Sequence, residues 1–108
     1  MKNKNAKNSE HKCSLKDVLD IIGGKWAMPI IYILSKGKMR FKELERSIEG
    51  INTRMLVKEL KNMEANGILT REIFATVPPT VEYTLTEKGK KLLPSIESLY
   101  KWGQEFIA

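Results

Sequence analysis

The sequence predicts a single, mainly helical α+β domain, and three features of its 108 residues carry that prediction. Apolar residues recur at helical spacing from residue 15 to residue 66, and two of the later helical segments are joined by a short turn containing glycine. The period then changes to two over residues 70–85, before a last helical stretch closes the chain. A chain of this length buries roughly two thirds of its unfolded surface in one core and leaves no room for a second folded unit.

Residues 1–12 are polar and aperiodic and read as a flexible basic tail, with the domain spanning residues 13–108. Ser14, with Asp17 three residues on, resembles a capping box opening a short helix. That helix is expected to carry Leu15, Val18, Leu19 and Ile22 inward and to stop at Gly23-Gly24. A second helix is expected over residues 26–35, so apolar throughout that it belongs in the centre of the core. Pro29 leaves two alternatives: the helix starts near Trp26, so that the missing N–H falls in the unpaired first turn, or it kinks at the proline.

Phe41, Leu44 and Ile48 mark one face of a third helix over residues 41–48, followed by a break at Glu49-Gly50-Ile51. Asn52 is then a suitable N-cap for a helix over residues 53–66, with Gly67 as its C-terminal stop. Two short helices separated by such a turn make a helix-turn-helix. Beyond it, Arg71, Ile73 and Ala75 alternate with Thr70, Glu72 and Phe74, and Val81, Tyr83 and Leu85 alternate with Glu82 and Thr84. Pro78-Pro79 forces a reversal between the two runs, which gives a two-stranded β-hairpin. Helix-turn-helix followed directly by a hairpin is the winged helix-turn-helix arrangement.

Thr86 is read as the cap of one final helix. Leu92, Ile96, Leu99, Gly103 and Phe106 line one side of it, while Leu93, Tyr100, Trp102 and Ile107 lie off that side. One small core cannot cover that much apolar surface, so the helix is expected to pair with a second copy of the chain. Leu92, Ile96, Leu99, Tyr100, Trp102 and Phe106 are the candidate dimerisation residues.

The net charge of +6 favours a polyanionic partner, because each cation placed at a phosphate releases condensed counterions. Much of the excess falls in residues 36–61, with eight basic residues against four acidic ones. On the segment 53–66, Leu56, Leu60 and Met63 form an apolar stripe, and Arg54, Lys58 and Lys61 fall opposite, with Val57 at the edge. An apolar back and a cationic front are what a helix needs to lie in the major groove of DNA. Arg54 suits guanine, Asn52 or Thr53 a base or phosphate, and Lys61 the backbone. With Val57, Lys58 and the upstream cations Arg40 and Lys42, these are the candidate contacts to double-stranded DNA. A solvated basic face is the bland alternative, and the order of turn, hairpin and charge cluster outweighs it. A winged-helix module that binds protein without DNA, and an RNA-binding role, are the rival readings.

These motifs resemble the HxlR-type winged-helix regulators. The resemblance is carried by Cys13, Ile22-Gly23-Gly24-Lys25-Trp26, Arg40-Phe41-Lys42-Glu43-Leu44, Met55-Leu56, Leu60, Gly67, Arg71, the run from Val77-Pro78-Pro79-Thr80 through Val81-Glu82-Tyr83-Thr84-Leu85-Thr86, Gly89 and Trp102. It implies a bacterial repressor or activator that works as a homodimer on a near-palindromic operator, with terminal helices pairing across the two-fold axis. It makes an oxidant, electrophile or small molecule a candidate inducer, since some relatives sense oxidants or electrophiles through a cysteine at the position of Cys13. The site before the Ser14 cap, beside Lys12 and Lys16, is one that favours a thiolate. The alternative for Cys13 is a small residue packing on Val18. Ser14 stands where the family commonly has proline, and Thr80 where it often has a basic residue. With no Lys or Arg from Thr76 to Thr80, the wing is expected to add little phosphate contact.

Other chemistry is poorly supplied. Gly23-Gly24-Lys25 is not a phosphate-binding loop, because Leu19 and Trp26 stand where that loop needs glycine and Ser or Thr. Trp26 is read as a core anchor instead. A single cysteine excludes an internal disulfide, and His11 has no second histidine beside it for a metal, so neither a cofactor nor an enzymatic activity is expected. Tyr100 and Trp102 are read as packing residues in preference to a ligand stack. No apolar run approaches the ~20 residues of a membrane span, and no signal-peptide stretch follows the Lys/Asn-rich start, so a cytoplasmic location is expected.

Overall fold

A computed structural model of the chain describes residues 12–108. The tail reading and His11 concern residues 1–11 almost entirely and lie outside the described residues.

The first helix, α1 (Leu15–Ile22), is opened by a full capping box. The Ser14 hydroxyl accepts from the Asp17 N–H at 3.3 Å, and the Asp17 carboxylate accepts from the Ser14 N–H at 3.0 Å. Its inward face differs from the expected one. Ile21 and Ile22 pack against the core and Val18 is half-buried, whereas Leu15 and Leu19 are 79% and 56% exposed. At 100° per residue the apolar arc of this helix is wider than the surface the domain offers it, and Leu15 and Leu19 occupy the outer edge.

The central helix α2 (Ala27–Leu34) buries Ala27, Ile30, Ile31 and Leu34. Pro29 is its third residue, so the missing N–H falls in the unpaired first turn, which decides between the two alternatives. Trp26 is buried at the start of α2, as its reading as an anchor required. A two-residue strand, β1 (Met39–Arg40), precedes α3 (Phe41–Ser47). After the turn at Gly50, α4 (Thr53–Ala65) starts at Asn52, whose Oδ1 accepts from the Met55 N–H at 2.8 Å. Gly67 takes φ +73°, a left-handed conformation that glycine adopts without strain, and leads α4 into the sheet.

Strands β2 (Leu69–Phe74) and β3 (Thr80–Leu85) form the predicted hairpin, in register from Leu69↔Leu85 to Phe74↔Thr80. The hairpin is part of a three-stranded sheet, which the pattern did not announce. β1 adds to the other side of β3, with Met39↔Tyr83 and Arg40↔Glu82, so the sheet order is β1-β3-β2. Two residues are too few to show a period of two, which is why this strand left no mark in the pattern.

The expected single last helix is two helices. Thr86 caps α5 (Glu87–Lys90) by accepting from the Gly89 N–H at 3.0 Å, and α6 (Leu93–Phe106) begins afresh after it. Pro94 explains the break: in a continuous helix its ring would strike the carbonyl of Lys90, four residues back, but near the start of a new helix it is tolerated. Gly89 sits so close to β2 that a Cβ there would lie 2.2 Å from the Ile68 carbonyl oxygen.

Candidate nucleic-acid interface

The packing of α4 separates its two faces completely. Leu56, Leu60 and Met63 are buried in the core, and Arg54, Lys58 and Lys61 are exposed. None of these three cations has an ion-pair partner among the described residues. Val57 stands at the margin, 36% exposed. At the N-terminus of α4, Asn52 spends its carbonyl on the cap, which leaves its amide to donate. The Thr53 hydroxyl donates to the Glu45 carboxylate.

Between α4 and the sheet runs a groove of about 390 Å³ that Thr53, Val57 and Lys61 share with Arg71 and Tyr83. Arg71 is a cation that sequence reasoning did not place here; its Nε lies 3.8 Å from Glu64 Oε1. Burial pushes the Tyr83 phenol up from its usual range, the Arg71 charge opposes that shift, and Glu64 adds to it. A neutral phenol thus lines the groove together with two cations, Lys61 and Arg71, and one anion, Glu64.

Arg40 and Lys42 are exposed on a second cleft, of about 540 Å³, between α3 and the wing turn. Arg46 joins them there, and the opposite wall is Pro78, Pro79 and Thr80, without charge. Lys42 and Arg46 have no ion pair among the described residues, whereas Arg40 Nε lies 3.9 Å from Glu82 Oε2. Arg46 was visible in the sequence, at i+4 from Lys42 and hence on the same side of the helix. Glu82 was not, because its role depends on the unseen strand β1.

The proposed pairing surface divides. Ile96 is 6% exposed and belongs to the domain's own core, and Leu92 is half-buried against that core, so these two serve the monomer's fold. A helix turned to dock on α2 must bury one row, and Ile96 lies on it. Leu99, Tyr100, Trp102 and Phe106, with Ile107 beyond, are 56–77% exposed. Tyr100 stacks on Tyr32 at 5.7 Å, and Trp102 tilts against Phe106 at 5.4 Å. Cys13 is exposed, and its Sγ–H donates to the Ser14 carbonyl at 3.3 Å.

Comparison with known proteins bears on what this arrangement does. The model of the HxlR-like helix-turn-helix family matches residues 21–108. An uncharacterized HTH-type transcriptional regulator of Methanothermobacter thermautotrophicus is 41% identical over 92% of this chain and 76% of its own length. Among solved structures, the redox regulator HypR in its oxidized form superposes with a TM-score of 0.83 at 42% identity, over 89% of this chain and 99% of HypR. The reduced form of the transcriptional regulator YodB from B. subtilis gives 0.76 at 34% identity, over 90% and 96% of the two chains. By name, the Methanothermobacter relative and YodB are transcriptional regulators and HypR is a redox regulator. No helix among the described residues is long and apolar enough to cross a membrane. With its α3-turn-α4 unit, its wing and this match over most of its length, the chain belongs to the HxlR-like helix-turn-helix family of transcriptional regulators.

Proposed function

We propose that the chain is a homodimer that reads a near-palindromic operator in double-stranded DNA through α4 and represses transcription by occupying it. The observation that carries this reading is the set of unpaired cations Arg54, Lys58 and Lys61, backed by the buried Leu56, Leu60 and Met63. Arg54, one residue into α4, reaches a base edge as a bidentate donor, while Lys58, Lys61, Arg40 and Lys42 neutralise phosphates. Solvent contact with Leu99, Tyr100, Trp102 and Phe106 supports the dimer, because a contiguous apolar face of this kind is costly in water. The test is retention of genomic DNA fragments by the pure protein at increasing salt. Retention that weakens steeply with salt supports the reading, and no retention at low salt leaves the protein-binding module in its place.

A second reading rests on Cys13, which is exposed next to α1. HypR is described as a redox regulator, and YodB has been solved after diamide treatment. In this reading an oxidant removes two electrons and two protons from a pair of thiols. The chain has one cysteine, so the product joins Cys13 to a small thiol or, where the two Cα atoms lie within about 7 Å, to the partner subunit's Cys13. A quinone would instead add to the thiolate. Wild type and Cys13→Ser are compared for operator binding after diamide or quinone. Loss of response in the variant supports a sensing thiol, and equal behaviour of the two proteins leaves Cys13 as a structural residue.

A further inference from the structure

Glu82 sits on the middle strand of the sheet, opposite Arg40 of β1 on one side and Glu72 of β2 on the other. Its side chain is 18% exposed, and Oε1 is shielded from solvent without any hydrogen-bond donor. Two cations flank the carboxylate, Lys38 Nζ at 3.5 Å from Oε1 and Arg40 Nε at 3.9 Å from Oε2. A charge-assisted hydrogen bond closes to about 2.7–2.9 Å, so both are ion pairs held at a distance. Shielding a carboxylate oxygen from water without giving it a hydrogen bond is unfavourable for the fold. The two cationic side chains remain 65% and 59% exposed, and Arg40 faces the same cleft as Lys42 and Arg46.

A carboxylate between two outward-facing cations does in the free protein what a DNA phosphate would do in a complex. We propose that Glu82 is an internal stand-in for phosphate: it occupies Lys38 and Arg40 and thereby lowers the affinity of this face for duplex DNA of any sequence. The inference rests on the DNA-binding reading above and assigns a selectivity role within it. Sequence-independent affinity grows with the number of phosphates neutralised, and cations already paired contribute fewer. Moving Lys38 and Arg40 to phosphates also leaves Glu82 shielded and unpaired, a penalty that applies to every duplex equally. Arg54, Lys58 and Lys61 carry no such restraint, so discrimination stays with α4.

The test measures binding of a fluorescent mixed-sequence duplex to the full chain over a range of salt. Glu82→Gln keeps the shape and removes the charge. It is expected to bind at least about threefold more tightly, with a salt slope steeper by about one to two. Glu72→Gln makes the same charge change on the neighbouring strand, at an exposed residue with no ion pair among the described residues, and is expected to shift affinity by less than about twofold. Adding Lys38→Gln to Glu82→Gln should remove much of the gain. Lys38→Gln alone should change binding less than Lys42→Gln does, and this pair of exposed variants decides the matter even if Glu82→Gln melts too low to assay. The proposal is overturned if Glu82→Gln matches wild type or Glu72→Gln, or if Lys38→Gln alone weakens binding as much as Lys42→Gln. Failure of the wild type itself to bind any duplex at low salt would instead remove the DNA-binding reading beneath it.

Discussion

Helices α4 and α6 are nearly equal in length, 13 and 14 residues, and each leaves a broad face in solvent, yet the two faces have opposite chemistry. α4 hides Leu56, Leu60 and Met63 and shows Arg54, Lys58 and Lys61. α6 buries only Ile96 and shows Leu99, Tyr100, Trp102 and Phe106. A cationic face is well solvated alone and gains from a polyanion through counterion release, whereas an apolar face is costly alone and gains from protein. Under the proposed function the difference gives the two helices two partners, DNA for α4 and a second copy of the chain for α6.

Breaking the apolar face should have the largest effect. Trp102→Glu places a charge where two aromatic rings meet, and it is expected to weaken dimerisation by about a hundredfold or more. Sedimentation reads this directly, and the melting curve of the monomer should move little, since Trp102 is exposed. A wild-type protein already monomeric at micromolar concentration would break the comparison.

On the cationic face, Arg54→Ala is expected to cost about 1–3 kcal/mol of operator affinity and to relax the preference at one base pair. Lys58→Ala should instead weaken all sequences alike and lower the salt slope by about one. Neither should unfold the protein. Wild-type affinity in both variants would mean that α4 presents a different face to DNA.

The smallest effect sharpens the comparison by separating fold from contact. Asn52→Ala removes the cap that holds the first turn of α4 and should cost about 1 kcal/mol in urea unfolding. An effect on DNA affinity much larger than that loss of stability would show that the Asn52 amide also touches DNA.

The two faces were not equally legible in the sequence. On α4 the stripe of Leu56, Leu60 and Met63, at i, i+4 and i+7, fixed which side turned outward, because those three positions lie on one narrow face opposite Arg54, Lys58 and Lys61. α1 and α6 spread their apolar residues over arcs of roughly half the circumference, wider than the row that packs, and there periodicity cannot rank the rows. Leu15 and Leu19, expected to point inward, are exposed, and Ile96, expected at the dimer seam, is buried in the domain's own core. Strand β1 and the ion pairs of Glu82 depend on residues some 40 positions apart meeting across a sheet, as Arg40 and Glu82 do, and no local pattern announces that. The break between α5 and α6 was readable at Pro94 but was passed over in favour of a longer helical period.

The measurement that bears most directly on the account is a hydroxyl-radical footprint of the protein on a DNA fragment it selects from genomic DNA, with the binding stoichiometry determined alongside. The account predicts two chains per site and two symmetric half-sites one helical turn, about 34 Å, apart, weakened together in Arg54→Ala. A single asymmetric half-site covered by one chain, or a footprint unchanged by Arg54→Ala, would contradict it.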